Sequence, residues 1–129
     1  MKILLDVMGG DNAPDVFIKG AVNTINQLNK DTQIILIGNE ELIKERIQTI
    51  YKKELNSISD RILIQNATEV ITNHELPVEA LKTKKDSSLN VAFKMLKENE
   101  GDAFISCGST GAFMAGGLLK VGRIKGKDR

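Results

Sequence analysis

Tryptophan is absent from this sequence, and histidine and cysteine occur once each. Each scarcity removes a class of function. A single cysteine cannot close an internal disulfide, so a reducing cytoplasm is the natural setting. Aromatic residues make up 4% of the chain, leaving few rings on which bases or sugars would stack. Charge of neither sign dominates: 18 Lys and Arg stand against 17 Asp and Glu, for a net charge of +1. That balance gives no reason to expect nucleic acid as a partner. No apolar run approaches the ~20 residues of a membrane span. After Lys2 only Ile3, Leu4 and Leu5 precede Asp6, too few for the apolar region of a signal peptide. Metal-ligand spacings are missing, as are the Gly-x-Gly-x-x-Gly fingerprint of dinucleotide sites and the Gly-Lys-Ser/Thr ending of a P-loop. No metal is expected, and a nucleotide is not the first guess.

What remains is a globular composition, 41% hydrophobic over 129 residues, with no internal repeat or linker. Residues 1–129 are read as one α/β portion without an internal boundary, small for a complete enzyme. The tail 122–129 stops where another strand would begin, which suggests a longer chain.

Apolar runs alternate with helical periodicities. Ile3-Leu4-Leu5 is a buried-strand signal, followed by the turn Met8-Gly9-Gly10-Asp11-Asn12-Ala13-Pro14-Asp15. Asn12 is the expected N-cap, with Asp15 reaching back, for a helix whose apolar face runs Phe17, Ile18, Ala21, Val22, Ile25, Leu28. Asn29-Lys30-Asp31 is expected to close it. Ile34 to Ile37 forms a second strand, and Leu42, Ile43, Ile47, Ile50 and Tyr51 a second helix. Arg61 to Gln65 begins a third unit. Ala67 to Thr72 reads equally as a short strand or an irregular loop. Pro77 starts a short helix to roughly Thr83, and Asp86-Ser87-Ser88 caps another that Gly101 terminates. The pattern predicts a Rossmann-like three-layer α/β/α fold with a mainly parallel sheet.

Ala103 to Ser106 is expected to be a central strand. It breaks into Gly108-Ser109-Thr110-Gly111, where two glycines permit close backbone approach and two hydroxyls and the first amides of a helix can hold an anion. The same four residues also suit a plain turn that caps a core helix, and both readings stand at this point. Gly9-Gly10-Asp11-Asn12 and Lys84-Lys85-Asp86-Ser87-Ser88 are also anion-friendly; in a parallel sheet all three would open at the carboxyl edge of the strands. Their bland readings are capping for Asp11 and Asn12 and a solvated face for Lys82, Lys84 and Lys85. Asp6 is either a carboxylate facing a ligand or the partner of a backbone turn. His74 reads as a surface residue and Cys107 as a small buried one.

Together these residues resemble a family. Asp6-Val7-Met8-Gly9-Gly10-Asp11-Asn12-Ala13-Pro14 is similar to the amino-terminal signature of bacterial phosphate acyltransferases acting on acyl-acyl carrier protein, the PlsX family. So are Pro77-Val78-Glu79-Ala80 leading to Lys84-Lys85-Asp86-Ser87-Ser88, the 108–112 turn, and Gly122-Arg123-Ile124-Lys125-Gly126 with Asp128-Arg129. The family's turn commonly reads Gly-Asn-Thr-Gly, and Ser109 stands here in the Asn place. The resemblance implies transfer of a fatty acyl group from acyl carrier protein to inorganic phosphate, giving acyl phosphate for phospholipid synthesis. It further implies a cytoplasmic homodimer associated peripherally with the membrane, with no redox cofactor. Combined with the anion-friendly turns, it assigns Thr110, Lys85 and Asp11 to catalysis. Phosphate or substrate binding falls to Gly9, Gly10, Asn12, Lys84, Ser87, Ser88, Gly108, Ser109 and Gly111. The rival class is a non-catalytic α/β domain that holds a phosphate ligand in the same loops.

Overall fold

In the computed structural model, residues 1–10, 12–72, 74–108 and 110–117 are described, Thr110 by its backbone. Four strands, β1 (Lys2–Asp6), β2 (Gln33–Gly38), β3 (Ile62–Asn66) and β4 (Ala103–Ile105), form one sheet in the order β3-β2-β1-β4, and every pairing is parallel. The helices are α1 (Asp15–Ile25), α2 (Glu40–Tyr51), the single turn α3 (Leu55–Ile58), α4 (Pro77–Thr83), α5 (Ser88–Lys97) and α6 (Thr110–Gly116).

Strand side chains alternate in direction, so the continuous apolar runs feed two cores at once. Ile34, Leu36 and Ile62 pack with Ile18, Ala21 and Ile25 of α1 and Ile43 and Ile47 of α2. Leu4, Ile35 and Ile37 turn the other way and meet Ala67 and Ala92 of α5. The three layers follow from that alternation. Each fully buried Leu or Ile contributes about 1.5–3 kcal/mol relative to exposure. A third cluster, Ile71, Ala80, Leu81, Leu89, Phe93 and Ala112, binds α4, α5 and α6 together. Phe93 stands edge-on to Phe104, their centroids 5.4 Å apart.

Several local expectations are corrected. Pro14, not Asn12, occupies the N-cap of α1, and Asn12 supplies its backbone carbonyl to the Val16 amide at 3.3 Å. Asp15 does not reach back; its carboxylate takes a bidentate bond from Arg46 at 2.8 and 2.7 Å, because α2 lies alongside α1. The periodicity overran the helix, which ends at Ile25. Its carboxyl end is held by Arg61, whose guanidinium donates to the carbonyls of Ile25 and Asn29 at 2.8 and 2.7 Å. The turn after α5 places Asn99, at φ 62°, in the left-handed region where Gly101 was expected to act. Gly101 answers a different demand: a Cβ there would stand 2.5 Å from Leu4 Cδ1. Residues 67–72 are irregular, with a single parallel bridge from Glu69 to Ser87. β4 was expected in the sheet's centre, yet among the described residues it is an outer strand, and Ile105 is 51% exposed.

Candidate functional site

The sheet order reverses at β1: the chain steps outward through β2 and β3, then returns to place β4 on the other side of β1. The crevice beyond the carboxyl ends of β1 and β4 is therefore the topological switch point. Two of the three anion-friendly turns meet there. A Cβ built on Gly9 would lie 2.6 Å from Gly108 Cα and 2.7 Å from its nitrogen, so the two backbones approach this closely only because residue 9 is glycine. Gly10, at φ +93°, faces the Cys107 carbonyl. Among the described residues the amides of Gly9 and Gly10 meet no acceptor. Successive free amides around a positive-φ residue form a concavity suited to an anion.

Asp6 is 1% exposed beneath these turns. Its Oδ1 accepts the Met8 amide at 2.9 Å, and its Oδ2 accepts the Ser106 hydroxyl at 2.8 Å. The Ser106 oxygen in turn accepts the Gly108 amide at 3.1 Å. The Gly108 N–H is thus already committed inward. Sequence reasoning left Asp6 open between two roles and missed Ser106. A serine at a strand end, two residues before a glycine, was the available signal, but nothing local links it to a carboxylate 100 positions earlier.

The third segment is anchored elsewhere. Lys84 Nζ donates to Glu75 Oε2 and to the Val70 carbonyl, both at 2.8 Å. That ammonium, with help from the Thr72 amide, holds the Glu75 carboxyl below its ordinary value. Ser87 is buried and spends its hydroxyl accepting the Asn90 amide as the N-cap of α5, while the buried Ser88 donates its amide to the Glu69 carbonyl. Asp86 binds the Thr68 amide and hydroxyl. Among the described residues this segment makes no hydrogen bond to either glycine turn. Lys85 is exposed and makes no ion pair with a described residue.

Pro77, heading α4, lies against Gly111, where a Cβ would be 2.8 Å from Pro77 Cγ. The second and third signature blocks thereby adjoin through α4 and α6. Asn12 lines a separate hollow of about 690 Å³ with Pro14, Asp15, Lys19, Leu42 and Arg46. A hollow of about 820 Å³ between α2, α3 and β3 lies at the opposite edge of the sheet from the switch point. His74 is exposed, as expected; Cys107 is also exposed, which corrects the expectation of a buried residue, since β4 ends at Ile105, two residues before it. Asp11, Ser109 and the basic tail from 118 to 129 lie outside the described residues, as does the Thr110 side chain. No helix among the described residues is long and apolar enough to cross a membrane.

Comparison with known proteins yields consistent matches. The family model described as "Fatty acid synthesis protein" matches residues 1–129. A phosphate acyltransferase of Acetivibrio thermocellus is 49% identical over 129 residues, which is 100% of this chain and 36% of that protein. Phosphate acyltransferases of Clostridium tetani and Clostridioides difficile are 49% and 46% identical over the same 129 residues, or 37% and 36% of their lengths. The chain spans little more than a third of the length of the curated relatives it matches.

Proposed function

The chain belongs to the fatty acid synthesis protein family, and on that premise we propose that it forms the amino-terminal part of a phosphate acyltransferase. The reaction moves a fatty acyl group from acyl-acyl carrier protein to inorganic phosphate, and the acyl phosphate product serves phospholipid synthesis. The observation that carries this reading is the contact of the Gly9 and Gly108 backbones at the switch point, where the Gly9 and Gly10 amides meet no acceptor among the described residues. The phosphate acyltransferase activity named for the relatives supports acyl transfer to phosphate as the chemistry.

The reaction needs a phosphate oxygen held near a thioester carbon and donors for the oxyanion that follows. Phosphate dianion is nucleophilic near neutral pH, so no strong base is required. Its oxygen bonds to the carbonyl carbon, the carbon–sulfur bond breaks, and the carrier thiolate leaves to take a proton from water. In our reading the Gly9 and Gly10 amides, with Ser109, Thr110 and Gly111, cradle phosphate or the developing oxyanion. Lys85, which has no ion-pair partner among the described residues, offers an ammonium that lowers the charge there; Lys84, paired with Glu75, holds the loop from which Lys85 extends. Asp11 and Asn12 orient the first turn. Gly108, Ser87 and Ser88 act through backbone placement and the helix start, since the Gly108 amide and the Ser87 hydroxyl already have partners. The partners are an acyl carrier protein and a second copy of the chain, in the cytoplasm and against the membrane surface.

The test is phosphate-dependent release of carrier thiol by the complete enzyme. Thr110→Ala and Lys85→Ala are each expected to lower turnover roughly 10²-fold or more, the usual effect of removing a transition-state donor. Unchanged activity in both removes the residue assignment. Phosphate binding without acyl transfer in the unaltered protein favours a non-catalytic binding domain instead.

A further inference from the structure

Among the described residues the transfer chemistry leaves one buried carboxylate without a task, that of Asp6. Strand pairing between β1 and β4 runs from Ile3 opposite Ala103 to Leu5 opposite Ile105, and stops. Beyond that point the two chains separate into the glycine turns, and backbone ladder bonds no longer set their spacing. The network around Asp6 begins where the ladder ends. One oxygen takes the Met8 amide at 2.9 Å, fixing the first turn; the other takes the Ser106 hydroxyl at 2.8 Å, and Ser106 passes the constraint to the Gly108 amide at 3.1 Å. A Cβ on Gly9 or on Gly108 would lie 3.1 or 3.4 Å from Asp6 Oδ2, so this single oxygen sits under both turns.

We infer that Asp6 and Ser106 are a positioning pair for the anion-binding crevice, setting the separation and orientation of the two glycine turns without touching the substrate. This inference rests on the phosphate-transfer reading. The carboxylate is an unsuitable direct ligand, because it would repel phosphate. Its charge is instead met by an N–H and an O–H from the segments that follow β1 and β4, a pattern that fixes direction at both oxygens. Ser106 is the necessary go-between: it donates to the carboxylate and still has lone pairs for the Gly108 amide. With the Gly108 N–H turned inward, the Gly9 and Gly10 amides of the first turn stay open to a guest among the described residues, and their aim depends on Asp6.

The experiment varies inorganic phosphate at saturating acyl carrier substrate, using the complete enzyme and the variants Ser106→Ala, Ser106→Thr and Asp6→Asn. Ser106→Ala leaves the Gly108 amide and one carboxylate oxygen unmatched; the phosphate KM is expected to rise roughly tenfold or more, while the KM for the acyl carrier stays within about twofold. Ser106→Thr keeps the hydroxyl and is expected to restore most of the phosphate KM. Asp6→Asn, which preserves shape but removes the charge, is expected to fall between them. A lower melting temperature with unchanged phosphate KM in Ser106→Ala overturns the pairing as a site device. Should Ser106→Ala fail to fold, Asp6→Asn decides: an unchanged phosphate KM overturns the inference and a raised one sustains it. If the unaltered enzyme releases no thiol with phosphate, the functional reading fails instead. The pair is then judged by calorimetric binding of inorganic phosphate, where equal affinity of Ser106→Ala and the unaltered protein overturns it.

Discussion

Substituting Gly9 by alanine tests how closely the two turns must approach. The added methyl would stand 2.6 Å from Gly108 Cα and 2.7 Å from Gly108 N, and both neighbours are backbone, unable to rotate aside. Carbon atoms in ordinary contact sit about 3.5–4.0 Å apart, so the crevice must open by about 1 Å. Gly9 is not among the residues with positive φ, so the effect comes from crowding and not from backbone strain. Overpacking of this kind costs about 1–3 kcal/mol in stability. A displacement near 1 Å at a reacting centre lowers rates roughly a hundredfold. The assay is phosphate-dependent thiol release by the complete enzyme, alongside denaturant unfolding. Gly20→Ala is the control, since nothing lies within 4 Å of a Cβ at that position of α1. It is expected to be neutral or to add up to ~1 kcal/mol through helix propensity. If Gly9→Ala keeps both the activity and the unfolding midpoint of the unaltered enzyme, the close approach of the turns is not needed and the crevice loses its role.

Three further outcomes can be measured on the complete protein. Phe93 is 2% exposed, with Phe104 and Phe113 rings 5.4 and 5.6 Å away, so Phe93→Ala should cost about 3–5 kcal/mol in urea unfolding and loosen α6 with it. The Asn90 side-chain amide donates to the Leu81 and Lys84 carbonyls, each at 2.8 Å. Asn90→Asp would point a carboxylate at both acceptors, with an expected loss of at least ~2 kcal/mol by the same measurement. Glu75, whose carboxyl Lys84 holds below the ordinary 4.5, contributes stability that is complete above that value and fades as the pH falls through the lower folded one. Acid titration of unfolding should therefore show Glu75→Gln less stable than the unaltered protein near neutrality and equal to it in strong acid.

Much of the fold was legible because strand and helix periodicities are local. Ile34 to Ile37 could only be a strand buried on both faces, and Leu42, Ile43 and Ile47 only a helix stripe, whatever the rest of the chain did. The cap at Ser87 and the helix start at Pro77 were readable for the same reason, since each depends on residues three or four positions away. Three of the failures share one cause. Asp15 was diverted to Arg46, 31 positions on; the end of α1 was set by Arg61, 36 positions on; and Gly101 serves Leu4, far earlier in the chain.

By itself the sequence determined the order of elements, the buried strands and the glycine turns that could receive an anion, all of them written in short-range pattern. Which turns share a crevice was settled only by tertiary structure. β4 returns beside β1, and the return brings Gly108 against Gly9 and Ser106 against Asp6, while the Glu75 carboxylate draws Lys84 into the loop after β3. Pairings across 100 positions leave no periodicity to read, because they arise when the sheet closes and buried polar groups must find partners.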